Sequence, residues 1–531
     1  MTAIATIGRF TESSTTLPPL DLLVIGGGIT GAATAYEAAG RGLRVALVEE
    51  RDYGAATSAA TGKLIHGGLR YLKQLEVGLV RESLRERRII SNIAPNLIDA
   101  YPTVLPDATL VMRAGLTAYD ALSFDRKRVA DPAKALPRHH RTDDGGLLYY
   151  DCLMISPERL TLAFVRSAAV AGALVANHTR ATSLLIEGGR VTGARVSDLV
   201  SGQQHEIRAK VVLNATGPWV FDTLDGSPLT SHSAGPRPSV RSEGIYLITR
   251  QLTDVMTLHV TAHGHFSCAP WRGHSMIGPT ERPYTGAISD WRLTRESVET
   301  FLAEINAAGL LPVTIGLADV RHAYGGLRPL TEDAGDTYTA SRGAELIDHA
   351  RAEHGHIDGL ISAAGGKYTT SRAFAEHIVG LVASKLDRLL APSTSAATPL
   401  HACHTGPIEE YVASSVARNR DFSPDTVRYL ARHHGTEHDA VLDLARAHPD
   451  LARPMDADGE LLAQVLVAAR HESARTLSDV LLRRTGLGTL GHPGAEVLEA
   501  ASGVMAGELG WDDSRREQEL KEADAQLTLP W

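Results

Sequence analysis

Cysteine is scarce in this chain. Cys152, Cys268 and Cys403 are the only three among 531 residues, they lie far apart, and no C-x-x-C pair occurs. A disulfide scaffold needs a dense, paired set, so that class is excluded and a reducing cytoplasmic setting fits. No run of 18 apolar residues occurs, which excludes a membrane-spanning helix on length and leaves only contact with a membrane surface. Positive charge is in deficit. Lys and Arg number 53 against 62 Asp and Glu, a net charge of −9, which argues against a nucleic-acid partner but not against a local basic pocket. Internal repeats are absent. His401, Cys403 and His404 lie close together, yet a metal site needs three or four converging ligands and no partner set accompanies them, so no metal is assigned. The opening residues are rich in Thr and Ser and lack an apolar core. Residues 1–18 therefore read as a disordered lead rather than a signal peptide.

What the chain does have is a real core and a nucleotide-binding unit. Hydrophobic residues make up 43% and charged residues 22%, a balance that suits a globular protein of two or three domains. Leu23–Asp52 reads as an apolar strand, Gly26-Gly27-Gly28-Ile29-Thr30-Gly31, a small-residue helix, a second apolar strand (Val45–Val48), then Glu49. Gly26 lets the chain turn out of the strand, Gly28 lets backbone N–H groups approach a pyrophosphate, and Gly31 lets the helix pack close to the sheet. The pyrophosphate would sit at the helix N-terminus, where free N–H groups and the dipole favour anions. Glu49 stands about 20 residues on, the spacing of a carboxylate that holds ribose hydroxyls.

Further along, Val77–Ile93 reads as a surface helix. Its Arg81, Arg85, Arg87 and Arg88, offset by Glu82 and Glu86, read as a solvated face. Ser156-Pro157 opens another helix, with Ser156 as N-cap and Pro157 at the first position. A β-meander is expected over Ala173–Asn177, Thr182–Glu187, Val191–Ser197 and Glu206–Ala209, ending in the apolar strand Val211–Asn214 and the turn Ala215-Thr216-Gly217. Residues 231–325 alternate apolar and polar, with prolines, and predict an antiparallel sheet. A third glycine turn, Gly365-Gly366-Lys367, precedes a helix. After the Ser/Ala/Pro-rich linker Ala391–Pro399 the chain reads as helical, with His433 and His434 as surface or helix-end residues. Trp271 and Trp291 read as core, whereas Trp219 sits in a glycine-turn motif.

Three separated glycine turns suit a flavoprotein whose FAD lies extended across the domain. The motifs are specific. They are Thr57-Ser58-Ala59-Ala60-Thr61-Gly62-Lys63-Leu64-Ile65-His66-Gly67-Gly68-Leu69-Arg70-Tyr71-Leu72, Asn214-Ala215-Thr216-Gly217-Pro218-Trp219, Tyr324-Gly325-Gly326-Leu327-Arg328-Pro329-Leu330, Ser341-Arg342, Gly365-Gly366-Lys367-Tyr368-Thr369-Thr370-Ser371-Arg372 and Glu472–Thr485. With them the chain resembles the FAD-dependent glycerol-3-phosphate dehydrogenases, a branch of the amino-acid-oxidase-like flavoproteins, over nearly everything after residue 20. The resemblance implies an α/β fold: a Rossmann-like FAD-binding domain (19–230 plus 326–390), an antiparallel-sheet substrate domain (231–325) and a C-terminal all-helical cap (400–531).

It also implies roles. Gly26, Gly28, Gly31, Glu49, Thr57, Ser58, Lys63, Leu64, Ala215, Gly217, Gly365, Gly366, Lys367, Tyr368 and Thr369 would hold FAD. Arg70, Tyr71, Tyr246 and Arg342 would bind a small phosphorylated polyol, and His66, Arg328 and Lys367 would serve the chemistry. Arginine forks match phosphate oxygens two at a time. The implied reaction moves the C2 hydride of glycerol 3-phosphate to flavin N5 while a base takes the hydroxyl proton, giving dihydroxyacetone phosphate. His66 is a candidate acceptor because histidine titrates in the right range. The electrons would pass to a quinone, or to oxygen in a same-fold oxidase. The family implies peripheral contact with the inner face of the cell membrane, and a homodimer is compatible with it.

The chain departs from the family's pattern where substrate should be read. Glu243-Gly244-Ile245-Tyr246 stands for the usual Lys-Gly-x-His, Gly278-Pro279-Thr280-Glu281 for Gly-Thr-Thr-Asp, and Ala56 for a glycine. Another hydroxy- or polyol-phosphate substrate, or a non-catalytic FAD-binding role, stays open on those changes.

Overall fold

The structure is a computed structural model, and it describes residues 4–12, 17–68, 76–106, 109–122, 140–141, 146–221, 241–261, 264–309, 311, 313–328, 344–351 and 356–531. Every residue of β1 (Leu20–Ile25) is buried. A strand covered on both faces reads as a continuous apolar run, and β1 lies centrally in a parallel sheet. It feeds α1 (Ile29–Gly40) and returns as β2 (Val45–Val48). The remaining strands of this sheet are β7 (Leu174–Ala176), β10 (Gln204–Asn214), β17 (Ala344–Asp348) and β18 (Leu360–Gly365), in the order β17-β18-β10-β1-β2-β7. All pairings are parallel except β17 with β18.

The two faces of the sheet bury different partners. Leu22, Val24, Leu47 and Leu213 face α1, α4 (Pro157–Val170) and α6 (Ser371–Lys385). Leu23, Ile25, Val48 and Val212 face the meander of β8 (Thr179–Glu187) and β9 (Arg190–Asp198). The meander differs from expectation at its start: Leu174–Ala176 pairs in parallel with β2 and belongs to the main sheet. β10 serves both layers, with Gln204–Arg208 antiparallel to β9 and Val211–Asn214 parallel to β1. Ser156 caps α4 as expected, its Oγ accepting from Arg159 N at 3.0 Å.

The second sheet runs β15-β11-β14-β13-β12-β4-β6-β3, with β16 on β11 and β5 on β6. Its strands are β3 (Leu64–Ile65), β4 (Ile98–Leu105), β5 (His140–Arg141), β6 (Leu147–Met154), β11 (Arg241–Arg250), β12 (Met256–Thr261), β13 (Gly264–Trp271), β14 (His274–Gly278), β15 (Arg282–Tyr284) and β16 (Val320–Arg328). The antiparallel sheet expected over 231–325 is thus present but larger. It recruits β3 to β6 from the stretch assigned to the cofactor domain, because β4 and β6 pair from Ile98↔Met154 to Leu105↔Leu147 and β4 then joins β12. One face packs α5 (Arg295–Ala308) through Val298, Phe301 and Ile305.

The C-terminal part is helical: α7 (Ile408–Arg418), α8 (Pro424–His434), α9 (His438–Ala447), α10 (Ala463–His471), a turn over Leu477–Arg484, α11 (Ala495–Leu509) and α12 (Asp513–Leu527). Its Glu472–Thr485 motif docks on the cofactor domain through buried charge pairs. Arg159 meets Glu472 at 2.7 Å, and Arg483 and Arg484 each meet Asp52 at 2.7 Å. Removing one member of such a pair costs about 3–5 kcal/mol, because the other is left buried and unpaired. His433 and His434 do end α8, but His434 is buried rather than at the surface.

Two further expectations are corrected. Residues 4–12 of the supposed disordered lead are seated between domains: Arg9 pairs with Asp198 at 2.7 Å, and Ile7 N donates to His471 O at 3.0 Å. The helix α2 (Val77–Ile93) exists as read, but its charges are not all solvated. Arg87 is buried against Asp151 (2.5 Å) and Glu86 against Arg372 (2.7 Å). With α3 (Leu110–Leu122), α2 covers the far end of the second sheet. Among the described residues no helix is long and apolar enough to cross a membrane.

Candidate active site

Parallel pairing brings the three glycine turns together. Ile25 pairs with Asn214, and Asn214 with Ser362 in the middle of β18, three residues before Gly365. The carboxyl ends of β1, β10 and β18 therefore release Gly26–Gly28, Ala215–Gly217 and Gly365–Gly366 along one sheet edge, the place where open α/β sheets bind ligands. A cleft of about 750 Å³ runs from this edge to the second sheet.

The cofactor wall is mostly backbone. Gly26 has φ +108°, and a Cβ there would stand 2.5 Å from Ala215 O. At Gly31 a Cβ would stand 1.9 Å from Gly26 O, so the close approach of α1 to the turn demands glycine. Glu49 accepts from Gly27 N at 2.6 Å and Arg51 N at 2.8 Å. Burial raises its carboxyl above the ordinary range, opposed by those two hydrogen bonds. Ser58 Oγ accepts from Ile29 N at 2.9 Å, which sets a hydroxyl at the N-terminus of α1. Asn214 Oδ1 accepts from Thr216 Oγ1 at 2.7 Å and holds the second turn. Gly365 and Gly366 carry φ of +67° and +91° in the third. Glycine cradles, a carboxylate and a helix N-terminus along one extended cleft fit a dinucleotide, and the three turns together would hold FAD.

Of the residues expected to hold the cofactor, Gly26, Gly28, Glu49, Thr57, Ser58, Leu64, Ala215, Gly217, Gly365, Gly366, Lys367, Tyr368 and Thr369 line the cleft, while Gly31 serves behind it. Two side chains do other work. The Tyr368 hydroxyl turns toward α4, at 2.6 Å from Pro157 O. Thr57 Oγ1 donates to Leu327 O at 2.8 Å and so ties the cofactor loop to β16. Lys63 is a correction. It is buried away from the cleft lining, 3.6 Å from Glu158 and with its ammonium 4.6 Å from the Trp271 ring centre. Burial depresses its pKa, and Glu158 opposes that shift.

The substrate wall is side chains. His66, Tyr246 and Arg328 line the same cleft as Lys367. His66 is held by its backbone, N to Thr369 Oγ1 at 3.3 Å, and by its neighbour Gly67, whose N donates to the Tyr119 hydroxyl at 2.9 Å. Arg328 lies across Gly244, where a Cβ would stand 2.1 Å from its Nη2, and reaches Thr280 O at 3.3 Å and Glu281 at 3.7 Å. Tyr246 stacks on its cross-strand partner Tyr324 with centroids 5.2 Å apart. Gly62 and Gly278 border its ring, since a Cβ on either would stand 3.0 Å from its hydroxyl or 2.5 Å from its Cδ1. Arg70, Tyr71 and Arg342 lie outside the described residues.

Glu243, one of the departures expected where substrate should be read, does not line the cleft. Its carboxylate accepts from Trp291 Nε1 at 2.7 Å. The sequence reading missed His265 and Ser267, which line the cleft from β13. Their spacing of two on a strand was the available signal, because alternate residues share a face. It also missed Arg51, which lines the cleft with its guanidinium 5.0 Å over the Trp219 ring. Asp52, His178 and Asp479 are close enough to suggest a metal. Arg483 and Arg484 already occupy the two carboxylates, and His178 binds Asp479 at 2.8 Å.

Comparison with known proteins agrees with this geometry. Residues 21–381 match the model of the FAD dependent oxidoreductase family, and residues 393–516 match the C-terminal domain of alpha-glycerophosphate oxidase. The chain is 34% identical to glycerol-3-phosphate dehydrogenase 2 of Mycobacterium tuberculosis over 94% of its length and 86% of that protein's. It is 31% identical to the aerobic glycerol-3-phosphate dehydrogenase of Bacillus subtilis over 88% of this chain and 87% of that one. The glycerol-3-phosphate dehydrogenase of Bacillus halodurans, solved in complex with FAD, superposes with a TM-score of 0.75 at 27% identity, covering 96% of this chain and 94% of the other. The cleft and these matches along nearly the whole chain lead to one conclusion: the protein belongs to the FAD-dependent glycerol-3-phosphate dehydrogenase family and is an oxidoreductase that binds FAD.

Proposed function

We propose that the protein oxidises sn-glycerol 3-phosphate to dihydroxyacetone phosphate and passes the electrons to a quinone. The observation that carries this reading is the meeting of Arg328, Lys367 and His66 in one cleft that ends at the three cofactor turns. The names of the relatives support the same substrate. FAD, when bound, supplies the two-electron redox chemistry. Arg328 binds the phosphate with its planar fork, its orientation fixed by Thr280 O and Glu281. Lys367 draws electron density from the substrate oxygen. His66 takes the hydroxyl proton, and the Tyr246 hydroxyl donates to the same end of the substrate. Arg70, Tyr71 and Arg342 belong with this group on the strength of their motifs. The enzyme works at the inner face of the cell membrane, attached peripherally.

A second reading, a different polyol phosphate, is favoured by Tyr246. It fills the space between Gly62 and Gly278 where the family pattern has histidine. Anaerobic addition of sn-glycerol 3-phosphate to the purified yellow protein tests both. Bleaching of the flavin band supports the first reading, and reoxidation by a soluble quinone but not by oxygen supports the acceptor. A protein that stays yellow with glycerol 3-phosphate but bleaches with another polyol phosphate overturns the substrate and supports the second.

A further inference from the structure

The hairpin of β13 and β14 turns through only two residues, Arg272 and Gly273, with φ of +51° and +71°. A two-residue turn with both φ positive favours Asn-Gly, because an ordinary side chain is strained in the left-handed region. An arginine stands there at an energetic cost, so something must hold it. The C-terminal helical domain does. Arg272 Nε donates to Asp458 (2.5 Å), Nη1 to Gly486 O (2.6 Å) and Thr489 Oγ1 (2.8 Å), and Nη2 to Asp456 (2.9 Å) and Glu460 (3.0 Å). A guanidinium has five N–H donors, and every one is matched by the same domain. Glu460 is fully buried and is itself held by Gly486 N at 2.8 Å. The socket is shaped to the plug: a Cβ on Gly486 would stand 2.3 Å from Arg272 Nη1.

The hairpin that carries this plug is also part of the substrate wall. β13 presents His265 and Ser267 to the cleft. The Ser267 hydroxyl donates to Gly278 O at 3.0 Å, and Gly278 borders the Tyr246 ring. Trp271, beside the plug, faces the Lys63 ammonium at 4.6 Å, and Lys63 directly precedes the strand that leads to His66. We infer that Arg272 is a positioning residue, through which the C-terminal domain sets the pose of the substrate wall without touching the ligand. This assigns that domain a part in substrate binding and goes beyond the proposed reaction.

Arg272→Asn is the discriminating variant. It suits the turn better than arginine does but removes the plug, so a merely local role in hairpin stability would be preserved or improved. In the holoenzyme, FAD content is expected to equal that of the parent. KM for sn-glycerol 3-phosphate is expected to rise roughly tenfold with kcat changed less, as expected when a wall is displaced rather than a reacting group lost. Hydrogen exchange of the Gly264–Gly278 amides is expected to accelerate at least about tenfold while β1 and β10 stay protected. The kinetic arm rests on the proposed substrate, whereas the exchange arm does not. If the parent fails to bleach with glycerol 3-phosphate, exchange alone decides. Unchanged exchange across the hairpin overturns the inference, as does an unchanged KM in a protein that turns over. Should Arg272→Asn fail to fold, Asp458→Asn removes a single partner, and the same hairpin must loosen by a smaller factor or the inference fails.

Discussion

The two walls of the cleft are built on different physics. The cofactor wall is backbone at the ends of three parallel strands, and its specificity comes from what is missing, side chains at Gly26, Gly28 and Gly31. The substrate wall is side chains on and beside antiparallel strands, held by partners far away in sequence: the Arg328 guanidinium by Glu281, the Tyr246 ring by Tyr324, and the His66 backbone by Thr369. At Gly26 and Gly31 a backbone wall tolerates no addition, although the loop before Thr57 carries one extra methyl at Ala56. A side-chain wall tolerates change one residue at a time, and there the chain has departed from its family's pattern most fully, at Tyr246.

The largest expected effect follows from that contrast. Gly31→Val would force a branched side chain where even a Cβ stands 1.9 Å from Gly26 O. The protein should purify without its yellow colour, because α1 can no longer close on the turn and present its N-terminus. A variant retaining stoichiometric FAD would break the comparison at its stronger end. Next comes Arg328→Met, on the other wall. FAD should remain bound, while kcat/KM falls by roughly 30- to 150-fold, the worth of about 2–3 kcal/mol for a charge-assisted bond. Equal loss of FAD and of turnover would mean that the walls are not separable.

The contrast also explains what could be read from sequence. The cofactor wall lies in short local words, strand then glycines then helix, so Gly26, Glu49 and Gly365 could be placed from the chain alone. Parallel pairing of β1, β10 and β18 then joins those words in space. Lys63 went astray because it stands inside such a word, and motif position does not record that Glu158 and Trp271 draw its side chain to the other side. Glu243 misled for a similar reason, since its partner Trp291 lies 48 residues on. Arg87 and Glu86 read as solvated because helical spacing shows which residues share a face, not that Asp151 and Arg372 lie under it. Residues 4–12 look like a disordered tail in composition, and only the distant Asp198 and His471 give them a seat.

Tyr246 offers a smaller and more pointed test. Tyr246→Phe keeps the stack on Tyr324 and removes one hydroxyl, so kcat/KM should fall roughly 5- to 10-fold, about the net worth of one hydrogen bond. Tyr246→His restores the family's usual residue. It should add a limb near pH ~6.5 to the rate profile, where an ordinary histidine titrates. A rate unchanged in both variants would remove Tyr246 from the substrate wall.

The smallest effect concerns the anchors that hold each wall to the C-terminal domain, and pH separates them. On the cofactor side, Glu472 sits between Arg159 and Arg166. Burial pushes its pKa up, but the arginines outweigh that and hold it at about 2. A carboxyl lowered from its usual ~4.5 stabilises the fold above that value and loses the contribution as pH falls toward 2. On the substrate side, burial dominates at Glu460 and, with Asp456 adding to it against Arg272, raises the carboxyl to about 8. Its contribution is complete below ~4.5 and declines as pH rises through 8. Thermal unfolding from pH 2.5 to 9 should show both limbs. Glu472→Gln should flatten the acid limb and Glu460→Gln the alkaline one. Each change should amount to a few degrees at most, since every tenfold difference in proton affinity between the folded and unfolded chain is worth about 1.4 kcal/mol and the unfolding entropy of so long a chain makes each kcal/mol only about a degree. If Glu460→Gln instead flattened the acid limb, the plug of Arg272 would be held by an ionised carboxylate like its counterpart, and the two anchors would differ in place but not in kind.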